Sequence, residues 1–184
     1  MIKFKGIYKN KSSLSNIDFL NTEGLQRANI GFKRKHVVIL TTLWILFSSL
    51  YIHFYSNVLT DSNYELLFAF ILVCISPFFH EILHALWYDT SYIFIYPRGG
   101  CFFMVGINPL ERNVFLSMLI YPCLCLGIFP FILYLFSNYA FLLIFSVAQI
   151  AGSIGDICMF YTVITKYKAT DNFVYSKGYF YLTK

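Results

Sequence analysis

Long apolar runs separated by short polar segments dominate this chain. Each of four runs is long enough for the ~20 residues that a helix needs to cross a bilayer. The runs cover residues 36–55, 64–88, 114–136 and 139–165. The pattern therefore predicts an all-α integral membrane protein with four transmembrane helices. No small-residue cleavage pattern follows the first run, which argues against a removable signal peptide.

The composition supports this prediction and excludes an ordinary soluble domain. Hydrophobic residues make up 58% of the 184 positions, charged residues only 12%, and the mean hydropathy is +0.64. The polar segments 1–35 and 166–184 are too short for a second domain, so we expect them to flank a single membrane domain of residues 36–165. Their mixture of lysine with tyrosine and phenylalanine is typical of segments that lie along a membrane surface.

The lysines and arginines predict the orientation of the helices. Eight precede the first apolar run, two lie between the second and third, and four follow the last. The other two loops carry none. Because positive loops stay in the cytoplasm, both termini are predicted to be cytoplasmic. The basic pI of about 8.9 then indicates attraction to an anionic lipid bilayer, and no nucleic-acid motif is present.

One stretch between the second and third runs has a different pattern. Residues 91–96 and 101–105 are rich in aromatic and β-branched side chains and flank Pro97-Arg98-Gly99-Gly100. Such a pattern predicts a β-hairpin, here at the cytoplasmic interface. Its open edge would either hold a substrate in extended form by strand addition, or the hairpin would only close the helix bundle.

The second run contains the candidate chemistry, His80-Glu81-Ile82-Leu83-His84. Positions four apart lie on one face of a helix, so both imidazoles can point at one metal ion. Glu81, one position further round, can then face a water on that ion. This pattern is typical of zinc hydrolases, in which the carboxylate moves the proton of the attacking water.

A catalytic zinc ion takes three protein ligands, and Asp156 is the leading candidate for the third. It lies ten residues before Lys166, about 15 Å along a helix, and His80 lies at a similar depth, about 13 Å before Asp89. Alternatively, Asp156 only hydrogen-bonds to a ligand histidine. Weaker rival ligands are His36, His53, Asp89 and Glu111.

Several polar or small residues lie near these candidates in the sequence. Gly152, Ser153 and Gly155 would let the helix carrying Asp156 approach a neighbour closely. Gln149 would either orient a ligand or substrate, or bond to a neighbouring helix. Pro77 predicts a local distortion of the second helix just before the motif. The possible oxyanion donors are Asn108, Tyr121 and Gln149.

The five cysteines form no Cys-x-x-Cys pair and are interpreted as small buried hydrophobes. They are Cys74, Cys101, Cys123, Cys125 and Cys158.

With the motif at His80–His84, the Gly155-Asp156 pair and a tail of the form Asp-x-x-x-x-Ser-x-Gly from Asp171, the chain resembles the putative zincin peptidase family. That domain-of-unknown-function group comprises small bacterial multi-pass membrane proteins, distantly similar to site-2 intramembrane metalloproteases. The resemblance implies His80, His84 and Asp156 as Zn²⁺ ligands and Glu81 as the catalytic acid and base. It also implies location in a bacterial cytoplasmic membrane.

Two classes of function remain open from the sequence. The first is a zinc-dependent peptidase that hydrolyses a membrane-associated protein or peptide through a zinc-activated water. The second is a non-catalytic membrane protein, such as an immunity factor or a transporter accessory subunit, with a structural or relic metal site. The two differ in what they predict for Glu81, which only the peptidase requires.

Overall fold

The computed structural model describes residues 1–7, 23–30, 38–42, 44–46, 48–49, 63–96, 101–176 and 179–183. Its helices are α1 (Asn63–Ala85), α2 (Arg112–Pro122), a π-helical segment (Cys123–Ile128), α3 (Phe129–Ser137), α4 (Ala140–Gly152) and α5 (Ile154–Lys166). Residues 38–42, 44–46 and 48–49 are also helical.

The described strands form two sheets. They are β1 (Ile2–Ile7), β2 (Gln26–Arg27), β3 (Ser91–Tyr96), β4 (Cys101–Gly106), β5 (Leu110–Glu111), β6 (Asn172–Ser176) and β7 (Tyr179–Thr183). The first sheet has the order β1-β3-β4, and the second has the order β2-β7-β6-β5. Strand β1 is parallel to β3, and all the other pairs are antiparallel.

The prediction of an all-α protein is therefore wrong. Strand β1 lies in the polar head, and strands β6 and β7 lie in the polar tail, both of which were expected to be surface segments without a sheet. Apolar residues alternate with lysines in the first part of β1, and aromatic residues are frequent in β6 and β7; both patterns suit a β-strand. Strand β1 is hard to recognise from its own segment, because its partner β3 follows only after a long separation in sequence.

The number of membrane-spanning helices also differs from the prediction. Among the described residues, two helices are long and apolar enough to cross a membrane, Tyr64–Ala85 and Arg112–Ser137. They match the second and third predicted spans. The fourth is a broken pair, α4 and α5, bent by 47°, which makes a third span only if the pair counts as one. Half of the first predicted span, residues 36–55, lies outside the described residues.

The predicted β-hairpin is present in the form of β3 and β4. Ser91 pairs with Gly106 and Tyr96 pairs with Cys101, in antiparallel register throughout. Strand β1 occupies the other side of β3, so β3 is the central strand and β4 lies at the edge of the sheet. The hairpin's position on the cytoplasmic side stays a prediction.

The contacts within the chain define two compact units, and the first contains both sheets. It comprises Met1–Gly31, Pro77–Leu119 and Met159–Lys184. Phe115 of α2 stacks on Phe173 of β6, with ring centroids 4.7 Å apart. Both side chains are fully buried, so the end of α2 that carries Phe115 is anchored on the second sheet.

A buried tyrosine links the end of α1 to the hairpin within this unit. Tyr88 packs against Gly106 of β4 so closely that no side chain would fit on Gly106. Burial raises the pKa of the Tyr88 phenol, because ionisation would place a charge in an apolar environment.

The second unit comprises Phe32–Ser76 and Ile120–Cys158, and its described residues are mostly helical. Two polar contacts hold α4 in place. The Ser146 hydroxyl donates a hydrogen bond of 2.8 Å to the Gly127 carbonyl oxygen, and the Phe141 backbone N–H donates one of 3.2 Å to the Glu65 carboxylate. The second contact places a negative charge at the N-terminus of α4, where the helix dipole stabilises it.

Gly127 marks a close approach between the π-helical segment and α4. A Cβ atom at this position would lie 2.7 Å from Cγ1 of Ile150. We expect Gly127→Ala to lower the free energy of unfolding by about 1–3 kcal/mol through overpacking. Unfolding in mixed detergent measures this change.

Gly155→Ala is the matched control, because a Cβ atom there meets nothing within 4 Å. If Gly155→Ala proved as destabilising as Gly127→Ala, the close contact with Ile150 would not explain the loss.

Candidate metal centre

The two histidines of the motif lie on one face of the last turns of α1. Their Nε2 atoms are 3.1 Å apart, and their ring centroids are separated by 4.8 Å. Two nitrogen ligands of a tetrahedral zinc ion are expected to lie roughly 3.3 Å apart, given zinc–nitrogen bonds of about 2.0–2.1 Å. The observed separation therefore suits two ligands of one ion.

The backbone of α2 fixes the tautomer of His84. Nδ1 of His84 lies 3.0 Å from the carbonyl oxygen of Met118. Because a carbonyl only accepts, Nδ1 carries the proton, and Nε2 of the neutral ring keeps its lone pair. His84 is buried, and Met118 belongs to the hydrophobic core of the first unit. The partner that orients His84 is thus itself held by packing, as is typical for metal-ligating histidines.

Glu81 lies between these histidines in sequence and is half-buried. Partial burial strengthens the electrostatic interaction of a carboxylate with nearby charges, and water can still reach the group. Phe78, one turn earlier on α1, contacts Phe102 of β4 with ring centroids 5.1 Å apart. The edge strand β4 therefore lies beside the part of α1 that carries the motif.

Asp156 lies in the first turn of α5 and is half-buried. In the part of the chain that the structure describes, His80, His84 and Asp156 form a group that could hold a metal ion. One ligand atom of each lies within 4.8 Å of the others. Two imidazoles and one carboxylate are ligand types that zinc accepts, so these residues fit the ion in chemistry and in spacing.

Of the four rival ligands, Asp89 and Glu111 are described by the structure. His36 and His53 lie outside the described residues. Asp89 is exposed and accepts a hydrogen bond of 3.4 Å from the Asn108 amide. Glu111 is exposed on β5. Neither Asp89 nor Glu111 belongs to the group of described residues that could hold a metal.

Gln149 bonds to a neighbouring helix, which was one of the two alternatives left open. Its side-chain amide donates a hydrogen bond of 2.5 Å to the hydroxyl of Ser76, and both residues are buried. One of its two amide N–H groups is thereby used within the protein. Of the other two proposed oxyanion donors, Asn108 donates to Asp89, and Tyr121 is exposed.

Of the small residues before Asp156, Ser153 is fully buried, but the two glycines do not act as expected. A Cβ atom added to Gly152 or Gly155 would meet nothing within 4 Å, so neither glycine marks a close approach. They instead flank the 47° break between α4 and α5. Glycine suits such a break because it has little preference for continuing a helix.

The interpretation of the cysteines as small buried hydrophobes holds for some of them. Cys123 and Cys158 are buried, Cys125 is half-buried, and Cys74 is exposed on α1. None of these four belongs to the group that could hold a metal. The surroundings of Cys101 lie outside the described side chains.

The carbonyl of Met118 is the functional group that the sequence did not reveal. Every residue carries a backbone carbonyl, so no residue type marks the one that orients a histidine. The only available signal is indirect, because a histidine ligand usually needs an acceptor for its second nitrogen.

Comparison with known proteins adds one finding. A family model described as "Putative zincin peptidase" matches residues 71–170, which is more than half of the chain. The matched segment contains His80, Glu81, His84 and Asp156. No curated protein and no solved structure matches the chain.

Proposed function

Because this chain belongs to the Putative zincin peptidase family, we propose that it is a membrane-embedded zinc peptidase that hydrolyses peptide bonds of membrane-associated substrates. The observation that carries the proposal is the pair of imidazole nitrogens 3.1 Å apart, one of them oriented by the Met118 carbonyl. In the absence of an ion, the same lone pair of His84 can accept a hydrogen bond from Nε2–H of His80.

His80, His84 and Asp156 are the proposed zinc ligands, and their mutual proximity supports the assignment. The carboxylate adds a negative charge to two neutral imidazoles, so the set leaves the bound ion with a net positive charge. The chemistry that zinc supplies in such a site is Lewis acidity, which lowers the pKa of a water towards 7 and polarises a carbonyl.

Glu81 is the proposed general base and acid. Its carboxylate accepts a proton from water while the water oxygen forms a bond to the scissile carbonyl carbon. The protonated carboxyl then donates that proton to the leaving nitrogen as the carbon–nitrogen bond breaks. The cycle leaves Glu81 ionised again, so one residue serves both steps.

The proposed substrate is a peptide segment in extended form. Strand β4 lies at the edge of its sheet, and no further strand is paired with it among the described residues. The contact between Phe78 and Phe102 supports β4 as the docking edge, because it places this strand beside the motif. Backbone hydrogen bonds to an edge strand would hold a substrate with little dependence on its sequence.

The test of this proposal is the metal content and hydrolytic activity of the detergent-purified protein. We expect about one zinc per chain by mass spectrometry, and cleavage of internally quenched peptides that a chelator abolishes and added zinc restores. Carefully purified protein that contains no metal and binds none on addition would overturn the peptidase. Zinc binding without any cleavage would favour a non-catalytic membrane protein.

A further inference from the structure

A chain of hydrogen bonds stabilises α1 one turn before His80. Pro77 lies inside the helix and has no N–H, so the carbonyl oxygen of Val73 lacks its usual partner four residues later. The Ser76 hydroxyl donates a hydrogen bond of 2.9 Å to that oxygen. The same hydroxyl accepts the 2.5 Å hydrogen bond from Gln149 of α4. The Val73 carbonyl, the Ser76 hydroxyl and the Gln149 amide are thus connected.

Burial makes this connection strong. Ser76 is 2% exposed and Gln149 is 7% exposed, so water does not compete for either hydrogen bond. Serine hydroxyls commonly satisfy carbonyls that a proline frees in a membrane helix. Here the hydroxyl is itself oriented by a second helix, so the proline turn has one preferred geometry.

We infer that Gln149 and Ser76 are positioning residues, which fix the proline turn of α1 and thereby hold the imidazoles of His80 and His84 in register. The expected effect on zinc binding rests on the proposed function. The effect on the position of the imidazoles is independent of that function, because Ser76 lies four residues before His80, about 6 Å along the same helix. Neither Gln149 nor Ser76 needs to touch an ion or a substrate.

The expected effect follows from losing the orienting bond. Gln149→Leu keeps a side chain of similar size but removes the donor, and Ser76→Ala removes the hydroxyl. We expect each to weaken zinc binding by about 10-fold, the low end of the range for lost partners of metal ligands, because neither residue bonds to a ligand directly. Because both variants lose the Ser76–Gln149 hydrogen bond, and Ser76→Ala also loses the one to Val73, the double variant should be about as weak as Ser76→Ala alone.

Ser146→Ala is the matched control. Ser146 lies on α4 three residues before Gln149, is fully buried, and donates its own hydrogen bond to Gly127 rather than to α1. Ser146→Ala should lower the free energy of unfolding as much as Ser76→Ala, while leaving zinc affinity within twofold of the wild type.

A second measurement does not depend on metal. Nitrogen NMR of histidine-labelled, metal-free protein should show His84 as a single Nδ1-protonated tautomer in the wild type and in Ser146→Ala. In Gln149→Leu we expect a mixture of tautomers, because the ring loses register with the Met118 carbonyl.

The outcomes separate the inference from the proposed function. Wild-type protein that binds no zinc would overturn the peptidase, and the His84 tautomers would still decide the inference. An unchanged tautomer in Gln149→Leu would overturn the positioning role, as would a Ser146→Ala variant that binds zinc as weakly as Gln149→Leu.

Discussion

Replacing Glu81 by glutamine should abolish peptide hydrolysis while leaving about one zinc per chain. The amide keeps the size and shape of the carboxylate but cannot accept and return a proton. General acid and base catalysis contributes about 10²–10⁴-fold to such reactions, so we expect a rate loss of at least this order. The measurement is cleavage of internally quenched peptides beside zinc content, on the same preparation.

Glu111→Gln is the control for this substitution. Glu111 is exposed on β5, where it pairs with Asn172 across the second sheet. The same change of charge there should leave both cleavage and zinc content unchanged. A Glu81→Gln variant that retains full turnover would remove Glu81 from the mechanism and favour a non-catalytic protein.

Removing a proposed ligand should have the largest effect on the zinc content of the protein. His84→Ala deletes a buried nitrogen ligand and leaves the Met118 carbonyl without its donor. Zinc sites in proteins bind their ion with apparent free energies on the order of 10 kcal/mol, shared among few ligands. We therefore expect zinc content to fall from about one per chain to near zero after dialysis against a mild chelator.

Asp156→Ala tests the third ligand in the same assay. We expect it to lose zinc as His84→Ala does, because two histidines alone rarely retain the ion. Asp171→Ala is its control, since Asp171 accepts a hydrogen bond from the Lys168 backbone and lies outside the metal group. An Asp156→Ala variant with full zinc content would reduce Asp156 to a bystander and reopen the search for the third ligand among His36, His53 and Asp89.

The local part of the site could be predicted from the sequence, and the structure shows why. His80 and His84 are four residues apart, and a helix places such positions on one face whatever surrounds it. The hairpin was predictable for a similar reason, because only a short stretch of sequence separates its two strands. Both features depend on neighbours in sequence.

The parts that could not be predicted depend on distant segments. The second sheet joins β2, β5, β6 and β7, four short strands from three regions of the chain. Strands β2 and β5 contain only two residues each, too few to show an alternating pattern. Their pairing is decided by the tertiary core around Phe115 and Phe173, which no window of sequence displays.

The break in the last apolar run was hidden for a different reason. Residues 139–165 are apolar enough throughout to predict one straight span, and hydropathy does not register a bend. The glycines at 152 and 155 were interpreted as contact points between helices. Glycine also marks helix ends, and in this chain the second meaning is the one that the open space around both positions supports.

The parallel pairing of β1 with β3 has a consequence for how the protein assembles during synthesis. Strand β1 leaves the ribosome before α1 does, whereas β3 follows α1. At about 5–20 residues per second, β1 waits on the order of 5 to 20 seconds for its partner. The hairpin of β3 and β4 can form as soon as it is made, because its contacts are local. The first sheet is therefore completed late, when α1 already exists, and β1 closes it.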